Sequence, residues 1–132
     1  MIISYDHWSQ VPRTWSAWPW QWFSPKECAC KGTGKLSISD RLIGKLDLLR
    51  SRLGRPLSVS SVFRTAYHNA KVSGSPRSMH LFGLAADISI IGQDKNLILE
   101  LAKDLGFTGF GYYRTFLHVD LGRKREWGKW DA

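Results

Sequence analysis

Phe110-Gly111-Tyr112-Tyr113-Arg114-Thr115-Phe116-Leu117-His118-Val119-Asp120 sets two short aromatic or β-branched runs on either side of Arg114-Thr115. Two such runs joined by a short polar break read as a β-hairpin. Just upstream, Asp94 to Leu105 reads as a helix, with Leu97, Ile98, Leu101 and Leu105 on one face and Gly106 closing it. Before that lie two strand candidates. Gly83 to Ile90 is one, and Leu57-Ser58-Val59-Ser60-Ser61, which alternates, is the other. Residues 64–79 are polar, contain Gly74, Ser75 and Pro76, and read as a loop.

Ser39 to Leu53 is the clearest helix. Leu42, Ile43, Leu46, Leu49 and Leu53 recur at three- and four-residue spacings. Asp40 lies in its first turn and Arg50 and Arg52 in its last, as the helix dipole favours. Gly54 ends it and Pro56 blocks its continuation. Ser24-Pro25-Lys26-Glu27 is a further helix start with a capping box, kept short by Gly32 and Gly34. The order is helix, strand, strand, helix, strand, strand. It predicts an α+β domain, a small antiparallel sheet with helices packed on one face. The strands fall near 57–61, 84–90, 109–113 and 116–121. Residues 1–22 show no helical or strand period. They read as a Trp-rich arm that packs its indoles against a domain spanning residues 23–132, with a ligand-binding role open for some of them.

The chain has 132 residues, 43% of them hydrophobic and 23% charged, which argues against disorder and for one domain with a modest core. Of seven Trp, Trp8, Trp15, Trp18, Trp20 and Trp22 fall near the N-terminus. The formal net charge is +8. A basic surface favours polyanions such as nucleic acid, anionic lipid or an acidic cell wall, although these cations are scattered. No apolar stretch is long enough to span a bilayer. The N-terminal residues lack a signal-peptide pattern, so synthesis in the cytoplasm is expected. Cys28 and Cys30 sit too close in sequence for a good disulfide and are expected to be free thiols. Half of a metal site is the weaker reading of that pair.

Of the four His, His80 stands out by its company, Ser78-Met79-His80-Leu81-Phe82-Gly83-Leu84-Ala85-Ala86-Asp87. The His precedes a strand and the Asp lies within it, while His118 arrives from far along the chain. A catalytic zinc takes three protein ligands and leaves one position open. Two His and a carboxylate are suitable donors, and the metal brings the pKa of bound water down to ~7. A His and an Asp at this spacing are, alone, a weak signal. His68 and the segment Gly32-x-Gly34 carry less: a surface His is the simpler reading of the first, and the second lacks the context of a phosphate loop.

Ser78-x-His80-x-x-Gly83-x-Ala85-x-Asp87 followed by His118-Val119-Asp120-x-Gly122 resembles the M15 peptidases of the D-Ala-D-Ala carboxypeptidase type, including VanY-like enzymes and phage endopeptidases. Cys30-Lys31-Gly32-Thr33-Gly34, Leu53-Gly54-Arg55-Pro56-Leu57, Arg64, Asn69, Gly111-Tyr112-Tyr113 and Arg125-x-Trp127 extend the likeness to the compact branch of that family, over roughly residues 23 to 127. The resemblance implies a fold shared with hedgehog signalling domains, a Zn²⁺ cofactor held by His80, Asp87 and His118, and substrate-site roles for Ser78 and Arg64. Arg64 could hold a carboxylate or a developing oxyanion, or could form a structural ion pair.

Two departures stand out. Many family members carry an acid three residues before the last His, where this chain has Thr115. Asp120, two residues beyond His118 on the same strand face, is the substitute candidate for general base. Its alternative role is to orient His118 from behind. Val62-Phe63-Arg64 stands where Gly-Tyr-Arg is common, which bears on specificity.

The resemblance implies a monomeric peptidase acting on peptidoglycan stem peptides, as carboxypeptidase or endopeptidase, at the bacterial cell wall. Small size and basic charge suit a phage lysis enzyme. The alternatives are a non-catalytic zinc-containing wall- or protein-binding module of the same fold and a nucleic-acid binder stacking bases on Trp. No specific nucleic-acid motif supports the last.

Overall fold

The computed structural model describes residues 1–131. In chain order the elements are β1 (Ile2–Tyr5), α1 (Pro25–Cys28), β2 (Leu36–Ser39), α2 (Asp40–Leu53), β3 (Val59–Ser61), α3 (Ala66–Lys71), β4 (Ala85–Ser89), α4 (Lys95–Asp104), β5 (Gly109–Tyr112), β6 (Phe116–Asp120) and β7 (Arg125–Gly128). Single 3-10 turns lie at Trp8–Gln10 and Met79–Phe82. The fold is α+β. The main sheet has five strands in the order β3-β4-β6-β5-β7, and a second pairs β1 with β2. Every pairing is antiparallel except β5 with β7.

The two long helices form where the apolar spacing puts them. Ser39 caps α2 by accepting from the Arg41 N–H, and Gly54 ends it in the left-handed conformation at φ 73°. Asp94 caps α4 through the Leu97 N–H. Leu42, Ile43, Leu46 and Leu49 of α2 join Ile98 and Ala102 of α4 in one core with Ala86, Ile88, Phe110, Leu117 and Val119 from the sheet. The helices thus cover one face and leave the other for a different purpose.

Four elements lie outside the sequence reading. β1 and β2 are four-residue strands. They pair across thirty residues of intervening chain, and each is too short to show a readable period. Residues 1–22 thus begin in a strand paired with β2 and then turn through the 3-10 segment at Trp8–Gln10. Trp18 is buried and donates its indole N–H to the Phe23 carbonyl at 2.7 Å, whereas Trp15 stays exposed. Within residues 64–79, α3 spans six residues and buries only the polar Asn69, so no apolar stripe marks it. β7 alternates Arg125 and Trp127 against Glu126 and buries nothing fully, which leaves no hydrophobic signal of a strand. Cys28 and Cys30 are both buried free thiols.

Candidate metal centre

The face of the main sheet turned away from the helices carries a row of aligned side chains. Ser61 pairs with Asp87, Asp87 with His118, His118 with Gly111, and Gly111 with Trp127, so one rung crosses all five strands. The next rung runs Ala85, Asp120, Gly109, Arg125. Side chains two apart on a strand share a face, so this register stacks Asp120 beside His118 and Arg125 beside Trp127.

His80 reaches the row from outside the sheet. Its 3-10 turn is capped by the Ser78 hydroxyl, which accepts from the His80 N–H, and closed by Gly83 at φ 66°. A Cβ on Gly83 would lie 2.3 Å from the Ser37 carbonyl oxygen, so the turn presses against β2 where only glycine fits. Gly83 in turn accepts from the Ser39 N–H at 3.0 Å. The small sheet thereby holds the turn in place.

Hydrogen-bond partners fix the tautomers of both His rings. His80 Nδ1 lies 2.6 Å from the Val62 carbonyl, which can only accept, so Nδ1 carries the proton and Nε2 a lone pair. That lone pair faces Asp87 Oδ1 at 3.2 Å. His118 Nε2 lies 2.7 Å from Asp120 Oδ2, which leaves Nδ1 as the free acceptor, 3.0 Å from the same Asp87 Oδ1. Two imidazole lone pairs and a carboxylate oxygen converge, with donor atoms from the three residues all within 4.8 Å of one another. All three residues are buried. Three electron-rich atoms packed away from water call for a cation between them. Two imidazoles and one carboxylate that leave a cleft-facing side open suit zinc.

The carboxylates here respond to positive charge on the neighbouring rings. Burial alone would raise the Asp87 carboxyl, but hydrogen bonds and charge from His118 and His80 outweigh it and hold Asp87 well below the usual carboxylate range. Burial opposes a charge on His118, and Asp120 and Asp87 more than compensate, so its pKa is raised. Asp120 is fully buried and also shifted down against the pull of burial. Its oxygens take the His118 ring N–H, the Gly122 N–H at 2.9 Å and a two-pronged clamp from Arg125 at 2.9 and 2.8 Å.

Arg64 extends one guanidinium to three partners, Ser61 Oγ at 2.9 Å, Asn69 Oδ1 at 3.3 Å and Asp87 Oδ2 at 3.3 Å. The second Asp87 oxygen is therefore held while the first faces the two imidazoles. A cleft of about 730 Å³ opens over this group, lined by Arg64, Ser78, His80, Asp87, Tyr113, His118 and Trp127 among others. His68 and Thr115 do not line it. His68 sits instead against Gly32, where a Cβ would lie 2.2 Å from its ring nitrogen.

The geometry thus brings His80, Asp87 and His118 together and sets Arg64 and Ser78 beside them. Asp120 lies on the far ring nitrogen of His118, away from the converging lone pairs. That contact is the one expected of a residue that orients His118, and the other close partners of Asp120 are the Gly122 N–H and the Arg125 guanidinium. Sequence reasoning had no signal for the Val62 carbonyl that sets the His80 tautomer, since a backbone group has no residue signature. It also gave no role to Arg125 and Trp127, whose alternation in Arg125-Glu126-Trp127 is the available clue.

A small α+β domain with a two-His, one-carboxylate metal site in a polar cleft defines the class. Within that class the chain belongs to the peptidase M15 family, whose pattern its residues 21–120 match. It is similar to the zinc D-Ala-D-Ala carboxypeptidase of Streptomyces albus G, 34% identical over 89 residues. That similarity covers 63% of this chain and 35% of the relative, so the chain spans only about a third of the relative's length.

Proposed function

We propose that this chain is a zinc peptidase that hydrolyses peptide bonds in peptidoglycan stem peptides. The observation that carries the reading is the convergence of His80 Nε2, Asp87 Oδ1 and His118 Nδ1 in an open cleft of an M15 family chain. The similar Streptomyces enzyme, a zinc D-Ala-D-Ala carboxypeptidase by name, supports both the metal and the substrate class. A bound zinc supplies Lewis acidity and makes water acidic enough to ionise near neutral pH. The protein's own residues hold and orient it. Asp120, clamped by Arg125, keeps the His118 proton on Nε2 and so presents Nδ1; the Val62 carbonyl does the same for His80. Arg64 neutralises part of the charge on Asp87, and Ser78 fixes the turn that carries His80.

Arg77 and Arg123 line the cleft with no carboxylate partner among the described residues, which suits a peptide bearing carboxylates. The net charge of +8 suits an anionic wall polymer, and a phage lysis enzyme acting after release from the cytoplasm is one such setting. On this reading residues 23–132 form the peptidase domain, and the Trp-rich residues 1–22 are its packed arm.

A second reading has its own observation. Asp87 is the only carboxylate lining the cleft among the described residues, and Thr115 replaces the acid common three residues before the last His. A zinc-containing binding module that does not cleave would need no proton acceptor. Defined muropeptides incubated with zinc-loaded protein, with and without a chelator, distinguish the two. Chelator-sensitive fragments by mass spectrometry are expected, and their masses separate carboxypeptidase from endopeptidase cleavage. Retained zinc with intact muropeptides would overturn the peptidase reading.

A further inference from the structure

Tyr113 and Trp127 border the same cleft as the three metal-facing donors. The indole Nε1–H of Trp127 donates to the Tyr113 hydroxyl oxygen at 2.9 Å. An indole nitrogen can only donate, so the Tyr113 oxygen must accept in that bond, and its own proton is left for another partner. No protein acceptor takes that proton among the described residues. The phenol ring is held flat on Phe116, with centroids 4.2 Å apart and planes tilted by 8°. The indole is held in turn. Its ring centroid lies 5.0 Å from that of His118, and the Arg125 guanidinium covers it at 4.9 Å. Gly111 clears its path, since a Cβ there would stand 2.6 Å from the Trp127 ring.

Of the four arginines lining the cleft, Arg64 and Arg125 are committed to Asp87 and Asp120, whereas Arg77 and Arg123 carry no carboxylate partner among the described residues. Arg64 serves Ser61, Asn69 and Asp87; Arg125 serves Asp120 and the Arg123 carbonyl. The Tyr113 hydroxyl is a donor held by Trp127 and with no protein acceptor among the described residues, at the edge of a site built to hold a cation.

We propose that the Tyr113 hydroxyl donates a hydrogen bond to the carbonyl oxygen of the peptide bond to be cleaved, with Trp127 as the positioning residue that turns the phenolic proton into the cleft. The proposal rests on the peptidase reading. As the carbonyl carbon becomes tetrahedral its oxygen gains negative charge, and a donor already aimed at it strengthens its bond at that moment. The proton stays on Tyr113 and no covalent bond to the protein forms. Tyr113 thereby supplies a donor from the end of β5, on the opposite side of β6 from Asp87 and Arg64.

The test compares Tyr113→Phe and Trp127→Phe with the unaltered chain, all zinc-loaded. The readouts are kcat and KM on muropeptides, zinc content, and affinity for a phosphinate analogue of D-Ala-D-Ala. Tyr113→Phe keeps the ring on Phe116. It is expected to retain zinc and KM while losing roughly 10²-fold or more in kcat. Phosphinate affinity should fall in parallel, because that probe mimics the tetrahedral oxygen. Trp127→Phe leaves the hydroxyl but frees its proton, so a smaller loss of about 10-fold in kcat is expected. A Tyr113→Phe variant with unchanged kcat and phosphinate affinity, or one whose loss lies wholly in KM or zinc content, overturns the proposal. If the unaltered chain neither cleaves muropeptides nor binds the phosphinate, the peptidase reading falls and this proposal with it. If it binds the phosphinate without cleaving, the peptidase reading falls and the proposal with it, whereas cleavage by the unaltered chain together with an unaffected Tyr113→Phe variant overturns the proposal alone.

Discussion

The two faces of the five-stranded sheet use the same strands and opposite packing solutions. On the helix side, Ala86, Ile88, Phe110, Leu117 and Val119 are buried against α2 and α4, with the space between the layers filled by apolar side chains. On the other side, β5 offers two glycines, Gly109 and Gly111, beside Asp120 and His118. The empty positions let Arg125 and Trp127 on β7 reach across β5 and touch residues of β6. A core face is satisfied by volume, and a site face needs gaps in stated places. The alternation Gly109-Phe110-Gly111-Tyr112 writes both demands into four residues.

Substitutions on the two faces test that contrast. The largest effect is expected for Gly109→Ala. A Cβ there would lie 2.0 Å from Asp120 Oδ1 and 2.4 Å from Arg125 Nη1, so the clamp must open and leave a buried carboxylate short of partners. Losing one partner of such a pair costs about 3–5 kcal/mol, read as a fall in denaturation midpoint together with zinc loss. Leu117→Ala, one residue from His118 but on the core face, should cost about 2–5 kcal/mol while the folded fraction keeps its zinc. Equal zinc loss in both would show that the faces are not independent. Asp120→Asn should fold and weaken zinc affinity by roughly 10- to 100-fold, since Asn cannot match the carboxylate behind His118; titration with a competing chelator measures it. Gly111→Ala is the mildest. Trp127 is about a third exposed and can swing out, so a cost of about 1–3 kcal/mol is expected, and the indole then no longer reaches the Tyr113 hydroxyl. Near-normal Trp127 packing in that variant would remove the argument for a required gap at β5.

The sequence made some of this legible because local chemistry and global position agree there. Leu42 to Leu53 and Leu97 to Leu105 carry helical spacing, and both helices form close to the expected limits. His80, Asp87 and His118 stand out by family likeness, their spacing alone being a weak signal, and the fold brings them within reach of one another. What stays hidden depends on partners distant in the chain. β1 exists because β2 exists, and neither four-residue run announces itself. α3 buries a polar Asn69, which the 3.6-residue period does not detect. Asp120 is two residues from a ligand, so the strand period puts it on the right face, yet only the ring orientation of His118 says which side of the imidazole it occupies.

The parallel strand at the sheet edge gives the centre two layers. The three donor atoms lie on segments that precede β7 in the chain, while β7 carries the guanidinium that clamps Asp120 and the indole that covers the His118 ring. An edge strand paired on one side is where a sheet opens locally at least cost. Such an opening would leave Asp120 with His118 and the Gly122 N–H, the donors still in place and the latch behind them undone. Docked along β5, the same strand keeps that latch shut.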